Sequence, residues 1–188
     1  MKKWITTLFV LFTCITFSQE NCFLFKNKLN NINVVDSDDL RCLSINSKNQ
    51  NTIVYTFGIW CSPCKLHLKN AVNLKGKYDV NLLVLLIELE NDKIIKKTID
   101  YLHNIDPRIE IIVLKDKYGK KRNKKYKEFL KEITPENFEN LNGMSKYLVF
   151  DKGGKIKMIT TWKDNIKYDW KDDSNMIKDK IIPILKLK

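Results

Sequence analysis

No internal repeat and no long low-complexity stretch runs through the 188 residues, which excludes solenoids and fibrous arrays. No apolar run reaches the roughly 20 residues of a membrane-spanning helix; residues 4–17 come closest, and no second hydrophobic span follows. Negative charge is also scarce. Against 34 Lys and Arg stand 22 Asp and Glu, a formal net charge of +12. Eight basic residues crowd one stretch: Lys115, Lys117, Lys120, Lys121, Arg122, Lys124, Lys125 and Lys127. No aromatic residues are interleaved with them in a stacking pattern, so no nucleic acid is expected as a partner. The ordinary reading of such a cluster is a solvated loop and exposed helix face. The sharper reading is a patch that steers acidic proteins or anionic envelope surfaces.

What is present begins with an export signal. Lys2 and Lys3 give a positive start, residues 4–17 an apolar core, and Thr16-Phe17-Ser18 small residues around a cleavage point after Ser18. A retained membrane anchor and acylation of Cys14 are the alternatives. The apolar run is short for the first, and Phe12 is bulky where lipoprotein signals carry small residues. The expected organisation is a signal peptide over 1–18, an N-terminal extension over 19–50 and a single domain over 51–188. The mature chain is expected to be soluble and periplasmic or otherwise extracytoplasmic, where disulfides persist.

Along the extension, residues 23–25 read as an edge strand and 36–43 as a turn or short helix. Residues 52–59 are dense in β-branched and aromatic side chains and read as a buried strand. A helix follows from Ser62, with Cys64, Leu68, Ala71 and Val72 at helical spacing, Pro63 in its first turn and Gly76 as its cap. Residues 80–89 are almost continuously apolar, as in a central parallel strand covered on both faces. A helix over 91–104, a strand over 109–114 and a helix over 123–133 follow. Next come a strand over 147–150, a turn at 151–154, a return strand over 155–162 and a final helix over 172–188 disturbed by Pro183. Alternation first and a hairpin last imply an α/β fold with a mixed central sheet flanked by helices.

Trp60-Cys61-Ser62-Pro63-Cys64-Lys65 sits where the first clear strand gives way to the first clear helix. A helix N-terminus presents free N–H groups and partial positive charge, which stabilise a thiolate. With two residues between them, the second thiol can attack a mixed disulfide formed on the first. A bridge closing so short a loop constrains the unfolded chain little, so a purely structural role is the weaker reading. Cys22 and Cys42 either pair as a structural disulfide, or Cys22 is a mobile thiol near the terminus; spacing does not decide. His67 reads as a partly exposed helix histidine. Cys61, Cys64 and His67 could together offer two sulfurs and a nitrogen to a soft metal, but no fourth ligand is evident, and no metal site is assigned. Trp162, Tyr168 and Trp170 read as cover at the edge of the core.

The segment Phe57-Gly58-Ile59-Trp60-Cys61-Ser62-Pro63-Cys64-Lys65 resembles the thioredoxin superfamily, and within it the exported TlpA/ResA-like thiol–disulfide oxidoreductases. Gly143-Met144-Ser145-Lys146-Tyr147-Leu148-Val149-Phe150-Asp151, followed by Gly153-Gly154-Lys155, is similar to a second family segment. The resemblance implies a thioredoxin-like fold with a TlpA-like strand–helix insert over 109–141. It implies Cys61 as the attacking thiol and Cys64 as the resolving one. Trp60, Ser62 and Pro63 would shape the substrate-binding surface, with Met144 and Ser145 opposite Cys61. It implies protein thiol or disulfide substrates, no dissociable cofactor and a membrane electron donor for a reductase. The sequence departs from the family twice. Ser145 stands where relatives carry a cis-proline, and Tyr55 where many carry a buried acid. Both imply a weaker or more specialised exchange. A peroxidase on the same fold would need a Thr-x-x-Cys pattern that is missing. The competing function is a thiol-based metal-binding protein or copper chaperone.

Overall fold

A computed structural model describes residues 22–186; the signal peptide expected over 1–18, with Cys14 and the cleavage point, lies outside them. The elements are β1 (Phe25–Lys26), β2 (Asn33–Val35), α1 (Ser37–Ile45), β3 (Asn51–Phe57), α2 (Ser62–Lys77) and β4 (Val80–Leu86). They continue with α3 (Ile94–Ile105), β5 (Glu110–Leu114), α4 (Arg122–Ile133), β6 (Tyr147–Asp151) and β7 (Ile156–Ile159). Last come α5 (Ser174–Met176), a π-helical stretch over Ile177–Ile181 and α6 (Ile182–Leu185). Among the described residues no helix is long and apolar enough to cross a membrane.

The strands form one mixed sheet in the order β1-β2-β5-β4-β3-β6-β7. Strands β2, β5, β4 and β3 run parallel, and β6 lies antiparallel to β3 with Tyr55 opposite Tyr147. Two-sided burial explains the continuous apolar runs. Successive side chains alternate faces, so Leu82, Val84 and Leu86 join one core while Leu83, Leu85 and Ile87 join the other. The first core is closed by α2, α3 and the C-terminal helical segment through Leu68, Ile95, Leu102, Ile177 and Ile181. The second is closed by α1 and α4 through Leu40, Tyr126, Phe129, Leu130 and Ile133. The fold class is the thioredoxin-like one that the resemblance implied, with β5 and α4 at the place of the expected strand–helix insert.

The segment before residue 51 is built into this sheet. Strand β2 pairs with β5, and the Asp36 side chain caps α1 in a reciprocal box with Asp39. Lys115 and Lys117 both reach Asp36 at 2.8 and 2.9 Å, and Ser37 bonds Glu132. Burial acts to raise the Asp36 carboxyl, but bonds from Lys115, the Asp39 backbone and Lys117 overcome it and hold the group well below the usual carboxylate range. Cys22 and Cys42 form a disulfide, which closes the alternative that spacing left open.

The basic cluster is less solvated than its composition suggests. Lys125 is fully buried, donating to the Glu88 carbonyl and to Asp116, both at 2.6 Å, while Lys120, Lys121, Lys124 and Lys127 stay exposed. The apolar face rather than the lysines holds α4. Each fully buried Phe or Leu contributes about 1.5–3 kcal/mol, against about 0–1 kcal/mol for an exposed ion pair. Several boundaries also differ from expectation, two of them with a clear local cause. Helix α2 runs through Gly76 to Lys77, with Tyr78 as its cap. Strand β7 stops at Ile159, because a capping box between Thr161 and Asp164 turns the chain into a short 3-10 helix over Trp162–Asn165. The π-helical stretch precedes Pro183, whose missing N–H cannot serve the carbonyl one turn back.

The Cys22–Cys42 link spans 20 residues of sequence, a loop for which cross-linking contributes about 3 kcal/mol. A Cys22→Ser, Cys42→Ser double variant should lose about that much in urea unfolding under non-reducing conditions. A loss below about 0.5 kcal/mol would show that the sheet pairing alone holds the N-terminal segment.

Candidate active site

Strand β3 ends at Phe57 and α2 begins at Ser62, so the turn between them lies at the carboxyl end of a central strand. Gly58 leaves room there for the Trp60 ring. A Cβ on it would fall 2.7 Å from the Trp60 ring, closer than carbon atoms approach without displacement. Cys61 is the N-cap of α2, and its sulfur accepts the Cys64 backbone N–H at 3.2 Å. Cys61 and Cys64 form a disulfide. Cys61 is 7% exposed and Cys64 fully buried, so an incoming sulfur reaches Cys61 first. No acidic residue lies in the first turn of this 16-residue helix, and its positive end is therefore uncompensated at the sulfur. That arrangement favours a thiolate.

The residues singled out from sequence converge here. Ser62 is exposed and Pro63 half-buried beside the disulfide. Trp60 is 42% exposed, with the Arg122 guanidinium 4.2 Å over its ring. Met144, Ser145 and Pro63 line one cavity of about 360 Å3 together with Trp162, Tyr168 and Trp170. The two tryptophans are more than half exposed, so the expectation that they merely cover a core edge is corrected. They form an aromatic wall next to the disulfide.

The loop before β6 takes a form proline cannot. Ser145 has φ +64° and follows a trans peptide, whereas a proline ring fixes φ near −65°. Its hydroxyl lies 2.8 Å from the Tyr55 hydroxyl and 2.9 Å from His67 Nδ1. Tyr55 donates to the Cys64 carbonyl at 3.0 Å. His67 is only 6% exposed, which corrects the reading of a partly exposed helix histidine. Its Nε2 donates to the Trp170 carbonyl at 2.9 Å, and its Nδ1 lies 3.6 Å from Asp173. Both ring nitrogens are committed, so Cys61, Cys64 and His67 do not form a ligand set. Among the described residues no group of three His, Cys, Asp or Glu is placed to hold a metal. Asp173 also accepts Tyr147 Oη at 2.6 Å and Asn70 Nδ2 at 2.8 Å. Burial pushes both the Tyr55 and Tyr147 hydroxyls well above the ordinary phenol range, and the charge at Asp173 adds to it. Both remain protonated donors.

Sequence reasoning missed His67 and Asp173 as members of the site. A signal existed for the first: His67 shares the helical face of Cys64, Leu68 and Ala71, which is the buried one. Glu88, just past β4, was also missed. It is fully buried. Burial pushes its carboxyl up, and its own backbone N–H, the Arg122 guanidinium and the Trp60 side chain oppose this only in part.

No protein-family model and no curated protein matches the chain. Among solved structures, it is similar to a thioredoxin-like protein determined in solution in the oxidized form. That likeness has 15% identity over 80% of this chain and 84% of the other, with a TM-score of 0.49. It is also similar to StoA from Bacillus subtilis, at 17% identity over 73% of this chain and 85% of the other, with a TM-score of 0.43. Both likenesses are distant, and the fold assignment rests on strand order and on the helix that carries the cysteines.

Lys146, next to Ser145, is 2% exposed and donates to the Thr160 carbonyl at 3.0 Å. Burial pushes its ammonium down to about 8, against the pull of Asp164. An unfolded lysine titrates near 10.4. Between those values the unfolded chain holds more protons than the folded one, so this group makes stability rise with pH there. Below about 8 both states are charged, and the cost of burying the ammonium is constant. Lys146→Met should flatten the slope of unfolding free energy against pH in that alkaline window, and a slope equal to wild type would refute the assignment.

Proposed function

We propose that this protein is an exported thiol–disulfide oxidoreductase that exchanges disulfides with protein substrates through Cys61 and Cys64, working as a reductase. The observation that carries the reading is the Cys61–Cys64 disulfide seated on the N-terminus of α2, with the outer sulfur accepting a helix N–H. In the reducing direction, the Cys61 thiolate attacks a substrate disulfide and a mixed disulfide forms. The Cys64 thiolate then displaces the substrate thiol and restores the Cys61–Cys64 bond. Electrons return to the pair from an external dithiol, in this reading a membrane donor outside the cytoplasm. The aromatic-walled cavity beside Pro63 and Met144 receives the substrate segment flanking its cysteine. The Ser-Pro linker, like the Gly-Pro pair of thioredoxin, supports the reductase direction, and the sequence of residues 1–18 supports export.

The test is the reduction potential of the pair, read by alkylation trapping and mass spectrometry in defined thiol buffers. A reversible couple near or below about −220 mV is expected, whereas one near about −120 mV would mean an oxidant. Cys64→Ala should accumulate mixed disulfides on Cys61, and Cys61→Ala should form none. A pair that never cycles in any buffer would end the oxidoreductase reading.

A further inference from the structure

One chain of hydrogen bonds crosses the floor of the site. It runs from the Trp170 carbonyl to His67 Nε2, from His67 Nδ1 to Ser145 Oγ, from Ser145 Oγ to Tyr55 Oη, and from Tyr55 Oη to the Cys64 carbonyl. The four links measure 2.9, 2.9, 2.8 and 3.0 Å. Both ends are carbonyl oxygens, which only accept. Four links therefore need four protons. Ser145 and Tyr55 supply one each, and a neutral imidazole supplies one. The count falls short by one, and two lone pairs would face each other at hydrogen-bond distance with nothing between them. An imidazolium supplies two protons and completes the chain in a single direction at each link: His67 donates both ways, Ser145 donates to Tyr55, and Tyr55 donates to Cys64.

A second observation points the same way. Asp173 is 1% exposed and lies 3.6 Å from His67 Nδ1. A buried carboxylate is costly without a partner charge. Its other contacts, Tyr147 and Asn70, are neutral donors. Tyr55 on β3 and Tyr168 and Asp172 on the segment leading to α5 also stand near this network, and none of them is a cation. The Lys146 ammonium, next to Ser145, is turned to the Thr160 carbonyl, and the Lys171 ammonium lies over the Trp170 ring.

We propose that His67 is held as an imidazolium paired with Asp173, and that it is a positioning residue whose charge favours departure of the Cys64 thiolate when the disulfide is opened. The second half rests on the oxidoreductase reading. In that step a partner thiolate attacks Cys61 Sγ and a new S–S bond forms. The Cys61–Cys64 bond breaks, and its electron pair leaves on the sulfur of Cys64. That sulfur is fully buried, so its charge gains little from water. His67, three residues on, places a positive charge one helical turn away, where side chains stand about 5–6 Å apart. With about half a unit of charge on the leaving sulfur in the transition state and an effective dielectric of about 20, a positive charge at that range is worth about a tenfold effect.

The experiment uses protein labelled with 15N-histidine and carrying no polyhistidine tag. The chain has two histidines, so a His103→Gln variant assigns both. At neutral pH, in the oxidised wild type, both ring nitrogens of His67 should show the shifts and one-bond couplings of N–H. One protonated and one bare nitrogen would overturn the proposal. Dithiothreitol then opens the disulfide in wild type and in His67→Gln, a neutral side chain of similar reach. The variant should be opened about tenfold more slowly. An equal rate in a variant whose circular dichroism matches wild type would also overturn it. A wild-type disulfide that dithiothreitol cannot open would defeat the oxidoreductase reading instead, and the nitrogen spectrum would still decide the charge.

Discussion

The hydrogen bond from Tyr55 to the Cys64 carbonyl ties the first turn of α2 to the central strand beneath it. It acts together with the Cys61 N–H, which donates to the Gly58 carbonyl at 2.9 Å, and with the bonds that His67 and Asn70 make further along the helix. Tyr55 can make the bond because β3 is buried on both faces and pairs with β6 in a register that sets Tyr55 opposite Tyr147. The two rings meet at 4.9 Å between centroids. The tilted ring pair fixes the phenol's position, and the phenol helps fix the turn. The sheet therefore positions the disulfide through a polar contact that its own apolar packing locates.

The two flanks of the disulfide differ in chemistry. On one side, Trp60 carries the Arg122 guanidinium over its ring, with Glu88 buried behind the same group of residues. On the other, the cavity walled by Trp162 and Trp170 opens above the His67 network. Arg122 is the first residue of α4, so the strand–helix insert contributes directly to the surface around the cysteines. The N-terminal segment reaches the same insert through Asp36, Lys115 and Lys117. Elements on both sides of the Cys-x-x-Cys strand thus brace one surface.

The sequence made the sheet and the cysteine pair readable because their determinants are local. Residues 82–87 are apolar without a break, as in a strand covered on both faces. Cys61 and Cys64 stand at a change of period from strand to helix. Ser145 was readable as a departure, yet its consequence was not, because its partners come from β3 and α2, 90 and 78 residues away. Asp173 was still harder to read. It lies in a polar stretch that looks solvated, and its burial depends on Tyr147 and Asn70 closing over it. Sequence pattern reports which face a side chain takes, while polar partners at long range are set by how layers stack.

The two departures at Tyr55 and Ser145 are better understood as one feature than as two losses. A proline at 145 would have neither a hydroxyl nor access to φ +64°, so it could not join His67 to Tyr55. An acid at 55 would accept rather than donate when ionised, and so would not bond the Cys64 carbonyl. With Tyr and Ser in place, the ionisable pair near the cysteines moves off the central strand and onto the helix and the segment after β7, where His67 meets Asp173. On the imidazolium assignment proposed above, these residues place charge within one helical turn of Cys64 while β3 stays neutral inside its core. A proline at 145 or an acid at 55 would therefore break the connected chain of hydrogen bonds.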